Sequence, residues 1–213
     1  KEQYANLPYR ASVQQHIDSW VNPNCYTVTT GHQLNLFTGP LYVVYKLIST
    51  IKLAEKLTEE FPKHHFVPVY WMATEDHDFA EINHFYLGDQ KLVWEPNTEL
   101  DGPVGHLKTV GIDSVFDVLA SLLGTAQRAE WLKSQFELAY LQSDNLAQAT
   151  LKLADALFGD RGLVVIDADR PELKRLFKPL FVREFNQEVT RTKVNESIEQ
   201  IKKVYPGYEP QVS

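Results

Sequence analysis

One segment constrains the fold of this chain more than any other: residues 66–73 form a nearly uninterrupted apolar run, and a strongly polar stretch follows it directly. Eight residues are far too few to cross a bilayer, which takes roughly 20. A short, continuous apolar run is typical of a strand that is covered on both faces within a parallel sheet. Because parallel strands need crossover connections, we expect βαβ units in this chain.

The segments around this run support that expectation. Tyr26–Thr29 is a β-branched stretch behind an Asn-Pro-Asn turn and predicts a first strand, which Gly31 is expected to end. Apolar residues then recur at helical spacing up to about Glu60, with Thr38 as the expected N-cap. Gly162–Asp167 predicts a third buried strand. This alternation of strands and helices predicts an α/β fold with an open, mainly parallel sheet.

The middle of the chain predicts an insertion. Two short strands are expected at Lys91–Trp94 and His106–Val110, separated by a turn at 101–103, and together they would form an inserted β-hairpin. From 113 to 158 the apolar spacing is helical in three pieces, with breaks at Gly124 and at residues 143–144. A helical subdomain is therefore expected to accompany the hairpin.

The last part of the chain predicts the start of a long C-terminal helix, opened by Pro171 and carrying a weak apolar stripe. The expected layout has three parts: 1–90 as the first part of the core, 91–160 as the inserted hairpin and helical subdomain, and 161–213 as a core strand plus a helix leading toward a coiled-coil arm. Lys1 and Ser213 are expected to lie inside a longer protein.

Charge and cysteine content restrict the partners. Twenty-eight acidic residues against 21 Lys and Arg give a net charge of -7, and a basic block that could follow a phosphate backbone is missing from the sequence, so nucleic acid is not an expected partner. The single cysteine, Cys25, cannot form an internal disulfide. We expect a cytoplasmic protein that does not enter the membrane.

Polar clusters follow the predicted strands, where ligands bind in open α/β sheets. The first is a glycine-bearing connection into the second helix, whose amino end suits phosphate or carboxylate. Its candidate ligand-binding residues are Thr30, Gly31, His32, Gln33, Thr38, Gly39 and, two turns into the helix, Lys46. The spacing matches neither the P-loop nor the three-glycine dinucleotide pattern. The alternative is that Gly31 and Gly39 only permit tight turns.

The second cluster follows the most apolar strand. Its candidate catalytic residues are Glu75, Asp76, His77 and Asp78, with Asn83 and His84 as candidate substrate-binding residues. His77 between acidic residues is a candidate general acid. In one alternative, Asp78 merely caps the turn that contains Glu81. In another, the carboxylates and imidazoles from Glu75 to His84 bind a metal ion in a hydrolase, although they match no established ligand spacing and no metal is expected.

The third cluster contains Asp167, at the end of the third predicted strand. Its carboxylate is a candidate partner for ribose hydroxyls or an amine. The alternative is a cap for the helix that Pro171 opens.

Two motifs in combination resemble a known family. Thr30–Gln33 and Phe37–Tyr42, followed by Tyr45-Lys46, form the first motif, and Val67–Trp71 leading into Glu75–Phe79 forms the second. Together they resemble the cysteine-adding enzymes of bacillithiol biosynthesis, over the whole chain but less than half of a family-length protein.

The resemblance implies a Rossmann-like core with inserted segments and, beyond this chain, a coiled coil that makes the full-length protein a homodimer. It implies a ligase that joins cysteine to glucosaminyl-malate, with ATP or ADP as the cofactor that activates the cysteine carboxylate. The connection from Thr30 to Gly39 would then hold phosphate or substrate anion, and Glu75 to Asp78 an amino group or sugar. A non-catalytic scaffold for dimerisation is the remaining alternative.

Overall fold

The computed structural model describes residues 1–96 and 102–211. Within them a parallel sheet is formed by β1 (Cys25–His32), β2 (His65–Met72) and β5 (Val164–Asp167), in the order β1-β2-β5. A separate antiparallel hairpin is formed by β3 (His84–Leu87) and β4 (Gln90–Val93). The predicted open, parallel α/β sheet is therefore confirmed.

Side chains of β2 alternate between two apolar layers, as the two-residue period of a strand requires. Val67 and Val69 pack with Val13, which belongs to helix α1 (Ala11–Ser19). Tyr70 and Met72 point into the larger core on the other face. Because helices cover both faces, the strand can be apolar along nearly its whole length, as the sequence indicated.

The larger core is built by helices that lie between the strands in sequence. Their bounds are α2 Leu41–Glu60, α3 Phe79–Ile82, α4 Ile112–Leu123, α5 Gln127–Phe136 and α6 Leu146–Phe158, with a π-helical turn at Glu137–Leu141. The three helical pieces predicted between 113 and 158 are confirmed, and the chain breaks near Gly124 and residues 143–144 as expected. The predicted end of the second helix at Glu60 is also confirmed.

Three local predictions need correction. β1 does not stop before Gly31, because Gly31 and His32 continue the ladder opposite Trp71 and Met72 of β2. Thr38 is not the N-cap of α2: its φ is 73°, and the helix begins at Leu41 after Pro40.

The predicted hairpin exists, and its strand at Lys91–Trp94 corresponds to β4, but the partner strand is β3 and not His106–Val110. Val104–His106 forms a short 3-10 helix, and the chain continues without a strand through the described residues up to α4. Asp101 of the predicted turn lies outside the described residues. β4 pairs with β3 because only two residues, Gly88 and Asp89, separate these strands. Closing this short turn costs less conformational entropy than closing the longer predicted connection.

Lys1–Ala168 forms one compact unit, which includes the predicted insertion, and a second unit begins at Asp169. The second unit contains α7 (Pro171–Gln187) and α8 (Val189–Val204). The expected long helix is thus divided at Glu188, which has φ and ψ of 45°. No helix in the described ranges is long and apolar enough to span a bilayer. The three-part layout of the chain stays a prediction.

Candidate functional site at the carboxyl edge of the sheet

The carboxyl ends of the three parallel strands lie in one row. His32 pairs with Met72, and Met72 pairs with Asp167 on the other side of β2. The backbone N–H of Ala73, just past β2, donates to the carbonyl oxygen of His32 at 3.0 Å. The polar clusters that follow β1 and β2, and Asp167 at the end of β5, therefore share one edge of the sheet.

The connection from β1 to α2 has an unusual backbone. Phe37, Thr38 and Gly39 have φ values of 45°, 73° and 48° in succession. For the two non-glycine residues this conformation costs of order 1–3 kcal/mol each. Gly39 cannot be replaced easily, since a Cβ there would lie 2.3 Å from the Cβ of Asn35. Such a conformation persists only when the surrounding structure enforces it.

Two buried tyrosines supply part of that enforcement. The Tyr140 hydroxyl donates to the carbonyl oxygen of Asn35 at 2.8 Å and accepts from the N–H of Phe37 at 2.9 Å. The Tyr70 hydroxyl donates to the carbonyl oxygen of Gln33 at 3.3 Å. A tyrosine hydroxyl is protonated at physiological pH, and burial raises the pKa of both hydroxyls further, so both can donate.

The amino end of α2 opens beside this connection. Its first turn, Leu41 to Val44, has no acidic residue, and among the described residues no side chain caps it. Lys46 Nζ donates to the carbonyl oxygen of Gly31 at 2.5 Å and lies 5.5 Å from the centre of the Tyr42 ring. A formal positive charge thus lies at the carboxyl end of β1, next to a helix terminus that favours anions.

The cluster after β2 is held through its backbone and through Thr74. Thr74 Oγ1 donates to Asp167 Oδ1 at 2.7 Å, which connects β2 to the end of β5. Gly105 donates its N–H to the Thr74 carbonyl oxygen at 3.0 Å, and a Cβ at Gly105 would lie only 2.8 Å from Thr74 Cβ. The side chains of Glu75 and His77 are exposed, and Asp76 is half-buried.

Asp78 has a structural role. Its Oδ1 accepts from the N–H of Glu81 at 3.2 Å and caps α3, as the capping interpretation predicted. His84 Nδ1 lies 3.0 Å from Asn83 Oδ1. Within the described part of the chain, the His, Cys, Asp and Glu side chains do not form a group of three or more that could hold a metal ion.

The sequence did not reveal the buried residues that hold the backbone of the site. Tyr70 lies within an apolar run, where it resembles an ordinary core residue. Tyr140 is separated by 105 residues from Asn35, whose carbonyl oxygen it contacts. Thr74 directly precedes the acidic stretch and is not among the predicted site residues. A useful signal for Tyr70 would have been a hydroxyl in the most buried strand, since buried hydroxyls need hydrogen-bond partners.

A parallel sheet covered by helices on both faces, with glycine-bearing and acidic connections at one edge, defines a Rossmann-like α/β domain. A family model described as "Bacillithiol biosynthesis BshC, N-terminal Rossmann-like domain" matches residues 1–213. The chain therefore belongs to the BshC family.

Similar proteins carry the same family name. A protein of Flavobacterium johnsoniae named "Putative cysteine ligase BshC" is 49% identical over 95% of this chain and 38% of its own length. Proteins of the same name from Christiangramia forsetii and Cytophaga hutchinsonii are 44% and 40% identical over 100% of this chain, and 39% and 38% of their own lengths. The chain thus spans under two fifths of the length of the curated relatives that it matches.

Proposed function

We propose that this chain is the amino-terminal part of a ligase that joins cysteine to glucosaminyl-malate, using a nucleoside triphosphate to activate the cysteine carboxylate. One observation supports the proposed site most directly: His32, Met72 and Asp167 lie in one row, so the three strand ends open onto the same edge. The membership of the BshC family and the names of its relatives support the reaction.

The proposed chemistry has two steps. A carboxylate oxygen of cysteine attacks the α-phosphorus of the nucleotide, and pyrophosphate leaves. The amino group of glucosaminyl-malate then attacks the activated carbonyl carbon, loses a proton and displaces the nucleoside monophosphate. These two steps need a site that binds the phosphate groups and, at a separate position, hydrogen-bond acceptors for an ammonium group.

The charges at the carboxyl edge fit these needs. Lys46 and the amino end of α2 favour phosphate, and we assign this side to the nucleotide together with the backbone from Thr30 to Gly39. Glu75 and Asp76 would repel phosphate and attract an ammonium group, so we assign them to the amino group of cysteine or of the sugar. His77, which is exposed beside them, is the proposed proton carrier.

We also infer that Asp167, Asn83 and His84 bind polar parts of the substrates. Asp167 already accepts a hydrogen bond from Thr74, which orients its carboxylate at the edge. For the longer protein we propose a cytoplasmic homodimer joined by a coiled coil outside this chain. Sedimentation of the full-length protein tests the dimer.

The function is tested with the full-length protein, cysteine, glucosaminyl-malate and ATP, followed by mass spectrometry. We expect the coupled thiol and one pyrophosphate per coupling event. Glu75→Gln should lower the rate at least tenfold, whereas Glu81→Gln, an exposed residue of α3, should leave it within about twofold. Release of ADP and inorganic phosphate instead would contradict attack at the α-phosphorus, and coupling without any nucleotide would contradict activation altogether.

A further inference from the structure

The connection between β1 and α2 is fixed largely by residues of the inserted helices. Phe37 inserts its ring into an aromatic cluster, at centroid distances of 4.4 Å from Tyr140 and 5.2 Å from Phe136. Phe85 of β3 and Phe116 of α4 complete the cluster at 5.7 and 6.2 Å. Aromatic contacts of this kind contribute about 0.5–1.5 kcal/mol each beyond the burial of area, which helps to offset the strain at Phe37.

Side-chain packing does not enclose this connection on every side. A cavity of about 40 Å³ lies beside it, lined in part by Asn35, Thr38 and Tyr70. Two of the hydrogen bonds that hold the connection come from Tyr140, whose one hydroxyl contacts the backbone on both sides of Leu36.

The backbone around Tyr140 is also unusual. Tyr140 lies in the π-helical turn Glu137–Leu141, directly after α5. A π-helical turn changes the direction in which the following side chains point, and such turns are frequent at functional sites. Here it accompanies a tyrosine whose side chain is fully buried and whose hydroxyl reaches a segment 105 residues away.

We propose that Tyr140 is a positioning residue for the anion-binding connection: its hydroxyl holds the backbone of Asn35–Phe37 in the strained conformation that keeps the amino end of α2 open to a phosphate group. This role rests on the proposed nucleotide-binding function, but the backbone effect can be measured without it. The inserted helices thereby become part of the machinery that shapes the site.

Tyr140→Phe in the full-length protein tests the proposal, with Tyr4→Phe as a matched control. The Tyr4 hydroxyl also makes a pair of backbone hydrogen bonds, to the N–H and carbonyl oxygen of Val165 in β5, so both variants lose the same chemical group. Amide hydrogen exchange is followed in the peptide that covers residues 33–40. The dissociation constants of ATP and of inorganic pyrophosphate are measured by calorimetry.

We expect Tyr140→Phe to raise the exchange rate of the Phe37 amide and the dissociation constants by about fivefold to tenfold, which corresponds to one net hydrogen bond. Tyr4→Phe should lower the midpoint of unfolding about as much as Tyr140→Phe does. It should leave the exchange rate of the Phe37 amide and the two dissociation constants within about twofold of the wild-type values. Equal changes in both variants, or unchanged exchange in Tyr140→Phe, would overturn the positioning role. If the wild-type protein binds neither ATP nor pyrophosphate, the nucleotide function fails, and the exchange result alone decides about Tyr140.

Discussion

The two edges of the parallel sheet stabilise the chain in different ways. At the amino edge, charged side chains pair with each other: Arg10 contacts Asp155 at 3.2 Å and Asp160 at 2.8 Å. His16 Nδ1, which lies close to the start of β5, contacts the carbonyl oxygen of Gly162 at 2.6 Å. Burial raises the pKa of Asp155, although Arg10 acts in the opposite direction.

At the carboxyl edge, hydroxyl groups make several of the hydrogen bonds that hold the backbone. Tyr70 and Tyr140 fix the connection after β1, while Glu75 and His77 remain exposed. The difference indicates that the amino edge contributes mainly to stability and that the carboxyl edge is organised for binding, at the cost of backbone strain. Four experiments test whether the two edges differ in this way.

The largest effect is expected from Arg10→Ala at the amino edge. The substitution leaves the Asp155 carboxylate, whose side chain is only 2% exposed, without its cation. Removing one partner of a buried pair costs about 3 kcal/mol or more. Urea denaturation of the full-length protein measures the loss. Arg161→Ala, which breaks an exposed pair with Glu55, should cost less than about 1 kcal/mol, and equal losses would contradict the contrast.

Gly39→Ala at the carboxyl edge is expected to lower the free energy of unfolding by about 2–3 kcal/mol, less than Arg10→Ala. The new methyl group must displace Asn35, and a positive φ is already unfavourable for alanine. Gly88→Ala is the control: Gly88 has φ 58°, and its Cβ would meet no described atom within 4 Å, so only the backbone cost of about 1 kcal/mol is expected. Equal losses of unfolding free energy in Gly39→Ala and Gly88→Ala would show that the connection between β1 and α2 can relax.

Lys46→Met is expected to affect binding more than stability. The dissociation constant of pyrophosphate should rise about tenfold, or 1.4 kcal/mol, while the free energy of unfolding changes by less than about 0.5 kcal/mol. Lys56→Met, which removes an exposed cation of the same helix paired with Glu60, should leave binding unchanged. Calorimetry gives the first quantity and urea denaturation the second. If Lys46→Met and Lys56→Met bind pyrophosphate equally well, Lys46 does not belong to the anion site.

The smallest effect is a pH dependence at the amino edge. Burial lowers the pKa of His16 below 6.5, its hydrogen bond to Gly162 acts in the opposite direction, and nearby His65 lowers it further. Below pH 6.5 the unfolded chain therefore binds a proton that the folded chain resists, so the stability present above this pH declines on acidification.

The slope for one such group cannot exceed about 1.4 kcal/mol per pH unit. Denaturation between pH 7.5 and 5 should show a shallower slope for His16→Gln than for the wild type. A wild-type slope in His16→Gln would assign the pH dependence to other groups.

Much of the architecture could be predicted from local patterns. The continuous apolar run of β2 indicated a parallel sheet, and β1, β2 and β5 form it. The helical spacing between 113 and 158, with its two breaks, gave α4, α5 and α6. The cap that Asp78 forms on α3 was one of the alternatives that the sequence left open for this residue. These features could be predicted because strand and helix periods and caps depend on residues within a few positions of each other.

Other features depend on contacts between distant residues. Gly31 could not be recognised as a strand residue without Trp71 opposite it, and the hairpin partner of β4 was misassigned because apolar spacing does not specify which strands pair. Tyr140 gave no sign of its contact with Asn35, since the partner of a buried hydroxyl depends on how the helices pack. Local periodicity thus accounts for the layers of this protein, whereas long-range packing gives its polar edge a defined shape.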